Sequence, residues 1–365
     1  MRESKFIVRG LIEAPSLKVP KSLGEKAIRV ANELGLLNKS LKVRSEGDFL
    51  HIPLTEEPTP PQISFLSGKL PEFKVVRYLF QERVRKPRKA IDIAAERLPP
   101  YLLASFPRSI DIIGHVAIVE IPPELKDYKR VVGEAILEAH RQVRTVLAKI
   151  GAVSGVHRVR EFEVIAGSGE TETVHREHGC VYHLDPRKVY FSPRLSYEHN
   201  RVASQVRAGE TVVDMFAGVG PFSILIAKRV KDIRVYAIDV NPEAYRYLKR
   251  NIIANGVQGR VTPILGDVRV IIPERLRGVA DRVIMNLPER ALEYIDLACE
   301  SLRIGGGIIH YYCFAGGEES ITEAKEKLIR EFGGMRRRIE RILTARIVRE
   351  VAPYKWQVAI DLEVR

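Results

Sequence analysis

Between residues 211 and 310 the chain alternates short apolar, β-branched runs with stretches whose apolar residues recur at helical spacing. That alternation predicts a parallel sheet with right-handed crossover helices. Four of the runs end in a polar residue: Asp214, Asp239, Asp267 and Asn286 close or immediately follow the predicted strands. The terminal stretch Lys355–Val364 alternates apolar and polar positions like a strand, and is expected to close one edge of the sheet as an antiparallel hairpin.

Upstream the pattern changes twice. Residues 1–60 read as a small α/β module, with a helix over Gly24–Leu37 and a hairpin pairing Leu41–Arg44 with Phe49–Leu54. The proline-rich segment Glu56–Pro61 is expected to act as a stiff linker that ends this module. Residues 61–175 read as a middle α/β domain. It would hold two short strands about Gly114, a long amphipathic helix over Tyr128–Ile150, and a hairpin joining His157–Arg160 to Val174–Arg176. Residues 176–365 form the third and largest domain.

The polar strand ends carry the candidate chemistry. The turn Gly218-Val-Gly220-Pro-Phe-Ser223 lacks the third glycine of a dinucleotide loop. Asp214 precedes it, where negative charge would not help a phosphate but would suit a ligand with a positive end. The ammonium of S-adenosylmethionine (AdoMet) is such an end. Asp239 would accept from ribose hydroxyls, and Asp267 from an adenine amino group. Asn286-Leu-Pro288 resembles the Asn-Pro-Pro motif of amino-group methyltransferases, but departs from it at Leu287 and Glu289.

A formal net charge of +13 on 365 residues points to a polyanionic partner, because Lys and Arg gain affinity by releasing counterions from phosphates. In Lys74–Lys89, Tyr78 and Phe80 are interleaved with Arg77, Arg83, Arg85, Lys86, Arg88 and Lys89, a composition suited to RNA. With 45% hydrophobic residues the chain can build packed cores. No signal peptide or membrane-spanning run is evident, so a cytoplasmic location is expected. Cys180, Cys299 and Cys313 are too scattered for a zinc site, and no metal is expected.

Together these residues make the chain resemble the archaeal and eukaryotic tRNA (guanine-37, N1)-methyltransferase family. The resemblance is carried by Arg158-Val-Arg160, Thr171–Gly179, Val189-Tyr-Phe-Ser-Pro-Arg-Leu195 with Glu198, Asp214–Gly220, Asn286–Pro288 and Ile309–Tyr312. It implies a Rossmann-like class I AdoMet-dependent methyltransferase domain following the middle domain and the N-terminal module. It also implies that Glu198 is the general base, that Arg158 stabilises charge at guanine O6, and that Asn286 orients the base. Tyr190, Arg194 and Pro288 would shape the substrate pocket; Asp214, Phe216, Gly218, Asp239, Asp267 and Asn286 would contact the cofactor. The partner would be tRNA, gripped at its outer corner and anticodon loop by a monomeric enzyme. His199 departs from the family, whose members commonly carry Arg directly after the glutamate. The alternatives are a wyosine-pathway aminocarboxypropyl transferase, which tends to carry Ser-Pro-Gly-Asn where this chain has Ser-Pro-Arg-Leu195, and a non-catalytic tRNA-binding factor.

Overall fold

The computed structural model describes residues 11–82, 89–154, 159–317 and 319–365. It divides into two compact units, Met1–Pro87 and Arg88–Arg365. In the first unit, β1 (Leu11–Pro20), α1 (Gly24–Glu33), β2 (Arg44–Glu46), β3 (Phe49–Pro53), α2 (Pro60–Lys69) and β4 (Lys74–Gln81) build an antiparallel sheet of order β2-β3-β1-β4. Ala27, Val30 and Ala31 of α1 pack with Leu17, Ile52, Leu54, Leu66 and Leu70 in one core.

Two expectations change here. The proline segment starts a helix rather than a linker, because Pro60 occupies the first turn, where its missing N–H is not needed. Gln62 Oε1 then accepts the amide of Thr59 at 2.8 Å. The unit ends at residue 87 instead of 60, because β4 runs antiparallel along β1 from Leu11↔Gln81 to Lys18↔Lys74. Nor are both aromatics of β4 open to bases: Phe80 is fully buried, and Tyr78 stacks on His51 at 3.7 Å. Arg83, Arg85, Lys86 and Arg88 lie outside the described residues.

The second unit opens with α3 (Ala90–Ala94), β5 (Ile110–Ile113), β6 (Val116–Val119), α4 (Lys129–Ala139), β7 (Thr145–Ser154) and β8 (Val159–Gly167), in a sheet of order β5-β6-β7-β8. The long helix expected to reach Ile150 stops at Ala139. Thr145–Ala148 is buried at every position and pairs in parallel with β6, and a central strand of this kind reads as a continuous apolar run that helical spacing also fits. The expected hairpin between 157–160 and 174–176 does not form either. β8 pairs with β7, while β9 (Thr173–Glu177) pairs with β10 (Cys180–Leu184) across His178 and Gly179, both at positive φ.

The remainder is α5 (Ser196–Ala203), β11 (Thr211–Asp214), α6 (Pro221–Arg229), β12 (Arg234–Asp239), α7 (Pro242–Ala254), β13 (Val261–Leu265), α8 (Val268–Ile271), β14 (Arg282–Met285), α9 (Ile295–Ser301), β15 (Gly307–Gly316), α10 (Ser320–Phe332), β16 (Ile339–Ala352) and β17 (Lys355–Val364). The strand order is β13-β12-β11-β14-β15-β17-β16, parallel through β15 and antiparallel at β17 and β16. The order reverses between β11 and β14, which opens a crevice at their carboxyl ends. Among the described residues no helix is long and apolar enough to cross a membrane.

Candidate active site

A cavity of about 280 Å³ fills that crevice, and Phe216, Gly218, Asp239, Asp267 and Asn286 all lie on its wall. The loop after β11 is tied to both neighbouring strands: the Met215 amide donates to Ile284 O at 3.0 Å and the Ala217 amide to Ile238 O at 2.8 Å. Its two glycines do different work. Gly220 (φ +91°) has no room for a side chain, since a Cβ would stand 2.6 Å from Leu248 Cδ1. Gly218 (φ +57°) has only Tyr190 O nearby, at 3.8 Å, so its backbone is open to a ligand.

Asp239 accepts the amides of Gly218 (2.7 Å) and Asn241 (2.9 Å). Asp267 caps α8 by accepting the Arg269 amide at 2.9 Å. Asn286 presents a buried Oδ1 with no hydrogen-bond partner in the protein. Acceptors lining a pocket of this size suit a ribose, an exocyclic amine or both. These residues therefore fit an adenosine-bearing cofactor.

Asp214 stands apart. It is fully buried and off the cavity wall, with the Ser223 hydroxyl donating to Oδ2 at 2.7 Å. Burial pushes its carboxyl up to about 7, against the opposing bond from Ser223. It underpins the loop instead of facing a ligand's positive end. Pro288 is also off the wall, where its carbonyl accepts the Phe314 amide at 3.1 Å; Leu287 and Glu289 line the cavity in its place.

A second cavity of about 240 Å³ shares Tyr190, Phe191, Ser192 and Glu289 with the first. Arg194 lines it, with Nε donating to Asp111 Oδ1 at 2.5 Å. Lys149, Arg160 and Arg349 join it there, and Arg349 donates to Ser192 Oγ at 3.1 Å. The sequence reading missed Arg349, which reaches the site from the C-terminal hairpin; nothing local marks it. Arg158 lies outside the described residues.

Glu198 is on neither wall. It is 1% exposed on α5, and both its oxygens are engaged. Oε2 accepts from Arg201 Nε and from the Tyr312 hydroxyl, each at 2.9 Å, and Oε1 accepts from Arg346. Arg201 is held in turn by Asp361, whose carboxyl is well below the usual range because His310 and Arg201 outweigh its burial. The next residue, His199, does line the first cavity, with its Nδ1 2.6 Å from Glu177 Oε1. No group of His, Cys, Asp or Glu placed to hold a metal occurs among the described residues.

A seven-stranded sheet of this order, with acids at the strand ends around a nucleoside-sized crevice, defines a Rossmann-like methyltransferase fold. Comparison with known proteins agrees. Residues 173–341 match the TRM5/TYW2 methyltransferase domain, residues 91–171 the TYW2 N-terminal domain, and residues 16–61 the tRNA methyltransferase 5 N-terminal domain. The chain is 41% identical over 354 residues to the tRNA (guanine(37)-N(1))-methyltransferase Trm5b of Pyrococcus abyssi, covering 96% of this chain and 98% of that one. The crystal structure of that protein superposes with a TM-score of 0.71, at 40% identity over 96% of this chain and 99% of the other. A solved complex of aTrm5 with tRNALeu gives a TM-score of 0.70, at 34% identity over 95% and 99% of the two chains. Methanocaldococcus jannaschii Trm5 in complex with adenosine gives 0.62, at 32% identity over 96% and 99%. The chain belongs to the tRNA (guanine-37, N1)-methyltransferase family.

Proposed function

We propose that this chain methylates N1 of guanine 37 of tRNA, beside the anticodon, using S-adenosylmethionine and acting as a cytoplasmic monomer. The observation that carries this reading is one pocket at the sheet's switch point, walled by Phe216, Asp239, Asp267 and Asn286, adjoining a second pocket lined by Lys149, Arg160, Arg194 and Arg349. The first suits a nucleoside cofactor; the second suits a nucleotide with its phosphates.

When bound, the cofactor supplies an activated methyl group. The protein has to remove the N1 proton of guanine, because the lone pair there is otherwise delocalised into the ring. Following the family pattern, Glu198 accepts that proton, a contribution of roughly 10²–10⁴-fold. Arg158 stabilises the negative charge that builds toward O6, and Asn286 orients the base. Tyr190 and Arg194 shape the wall against which the guanine rests. The N-terminal module grips the outer corner of the tRNA.

The test is incubation with AdoMet and unmodified tRNA transcripts carrying G37 or A37, with nucleosides identified by mass spectrometry. N1-methylguanosine from the G37 transcript alone is expected. An aminocarboxypropyl adduct, or no product, would defeat the reading.

A further inference from the structure

Glu198 presents a difficulty for its own role. A carboxylate oxygen accepts a proton only where the donor can reach it, and here guanidinium groups stand against both oxygens of a side chain that is 1% exposed. The two sides are unequal, however. At Oε2 the partners are buried and mutually fixed: Tyr312 is fully buried, and Arg201 is locked by Asp361 from β17. At Oε1 the single partner is Arg346, which comes from edge strand β16 and whose side chain is 33% exposed.

The surroundings of Arg346 also differ from those of a structural ion pair. Its guanidinium sits 4.6 Å from the ring centroid of Tyr197, which is 63% exposed on the same helix as Glu198. A stacked guanidinium and phenol open to solvent form a surface that takes a nucleobase and a phosphate. The pairing of β16 with β17 shifts register on both sides of Arg346, between Ile342 and Thr344 and between Ile347 and Arg349. Irregularities of this kind aim a side chain out of the regular pleat and occur beside functional sites. Farther along β16, Arg349 already reaches the second cavity.

We propose that Arg346 is a latch on Glu198 that bound RNA opens, with Tyr197 as its aromatic seat. An RNA phosphate draws the Arg346 guanidinium off Oε1. The N1–H bond of guanine then breaks, its electron pair stays on N1, and its proton passes to the freed Oε1. The buried Arg201–Asp361 pair keeps Oε2 in place throughout, so the base swings no farther than it must. Proton acceptance is thereby withheld until RNA is seated. The proposal rests on the methyl-transfer reading.

The test compares wild type with Arg346→Ala, Arg346→Lys and Tyr197→Ala for tRNA affinity by filter binding over a salt series, and for single-turnover methylation at saturating tRNA and AdoMet. Arg346→Ala should weaken tRNA binding about tenfold and lower the salt slope by about one. Its saturated rate should fall less than its affinity does, because the base is left unlatched. Arg346→Lys should restore most of the binding, and Tyr197→Ala should weaken it while keeping the three side chains that bond Glu198. A loss of saturated rate beyond tenfold in Arg346→Ala would show that Arg346 holds Glu198 in its working position, and would overturn the proposal. Unchanged tRNA affinity in Arg346→Ala would overturn it as well. Should Arg346→Ala fail to fold, unchanged affinity in both other variants would do so. Absence of N1-methylguanosine with the wild type would instead defeat the underlying reading.

Discussion

Asp239 Oδ2 accepts the backbone amide of Gly218 at 2.7 Å, so the carboxylate that ends β12 also fixes the loop that follows β11. Its Oδ1 accepts the Asn241 amide at 2.9 Å, which leaves neither oxygen replaceable by an NH₂ group. In Asp239→Asn, one amide hydrogen would have to point at a backbone N–H. Charge-assisted bonds of this kind contribute about 1.5–3 kcal/mol each. AdoMet affinity measured by calorimetry should therefore fall about 10- to 150-fold in Asp239→Asn. Binding within twofold of wild type would show that the loop is shaped without this contact.

The burial of Asp214 has a signature in pH. Its carboxyl is raised from 3.8 to about 7 by burial, with Ser223 opposing the shift and Asp239 adding to it. A raised folded-state value means that the native protein keeps a proton the unfolded chain has released. This stabilisation is complete below about 3.8 and is lost as pH climbs toward about 7. Between pH 5 and 7 the loss amounts to about 2 kcal/mol. Asp214→Asn should remove that part of the pH dependence in urea unfolding of the ligand-free protein. Parallel stability profiles for the two proteins would contradict the assignment.

The strand ends were legible because a parallel sheet concentrates its chemistry there: a β-branched run followed by an acid and a glycine turn marks the place without any tertiary knowledge. Gly218, Asp239, Asp267 and Asn286 stand out in this way, Phe216 only through the family resemblance, and all five line one cavity. What could not be read locally depends on partners remote in the chain. Tyr312, Arg346 and Asp361 lie 114–160 residues beyond the side chains they hold on α5, and only the assembled sheet brings them to Glu198 and Arg201. The strand at Thr145–Ala148 was obscured for a related reason, since burial on both faces removes the alternation that identifies a strand. His199 stood out in the sequence only as a departure from the family; its bond to Glu177 links two elements, β9 and α5, that no local pattern joins.

That bond also makes a measurable contribution. Glu177 is held at about 2, below its usual 4.5, because hydrogen bonds and charge from His175 and His199 outweigh the opposing effect of burial. A depressed folded-state value gives stability that is present above about 4.5 and lost as pH falls toward about 2. Glu177→Gln should be less stable than wild type by about 3 kcal/mol near neutral pH, and the difference should shrink through that window. Urea titrations at pH 7 and across the acid range check this. A constant difference at all pH values would point to packing instead of charge.

Asn286 offers the sharpest probe of how guanine is held. Its Oδ1 is buried on the cavity wall without a hydrogen-bond partner, and a buried acceptor left unpaired costs about 1–3 kcal/mol. A substrate that supplies a donor there recovers this cost, and the 2-amino group of guanine is a planar donor of the right kind. Asn286→Ala should therefore lower kcat/KM for a G37 transcript by about 100-fold even at saturating AdoMet. Inosine at position 37 lacks the 2-amino group but keeps N1 and O6. Wild-type enzyme should lose activity on the inosine transcript, whereas Asn286→Ala should treat the two transcripts nearly alike. The resulting double-mutant cycle should give a coupling of at least about 1 kcal/mol. Additive losses would instead place the unpaired oxygen against some donor other than the 2-amino group, and Asn286 would then select the base by a different edge.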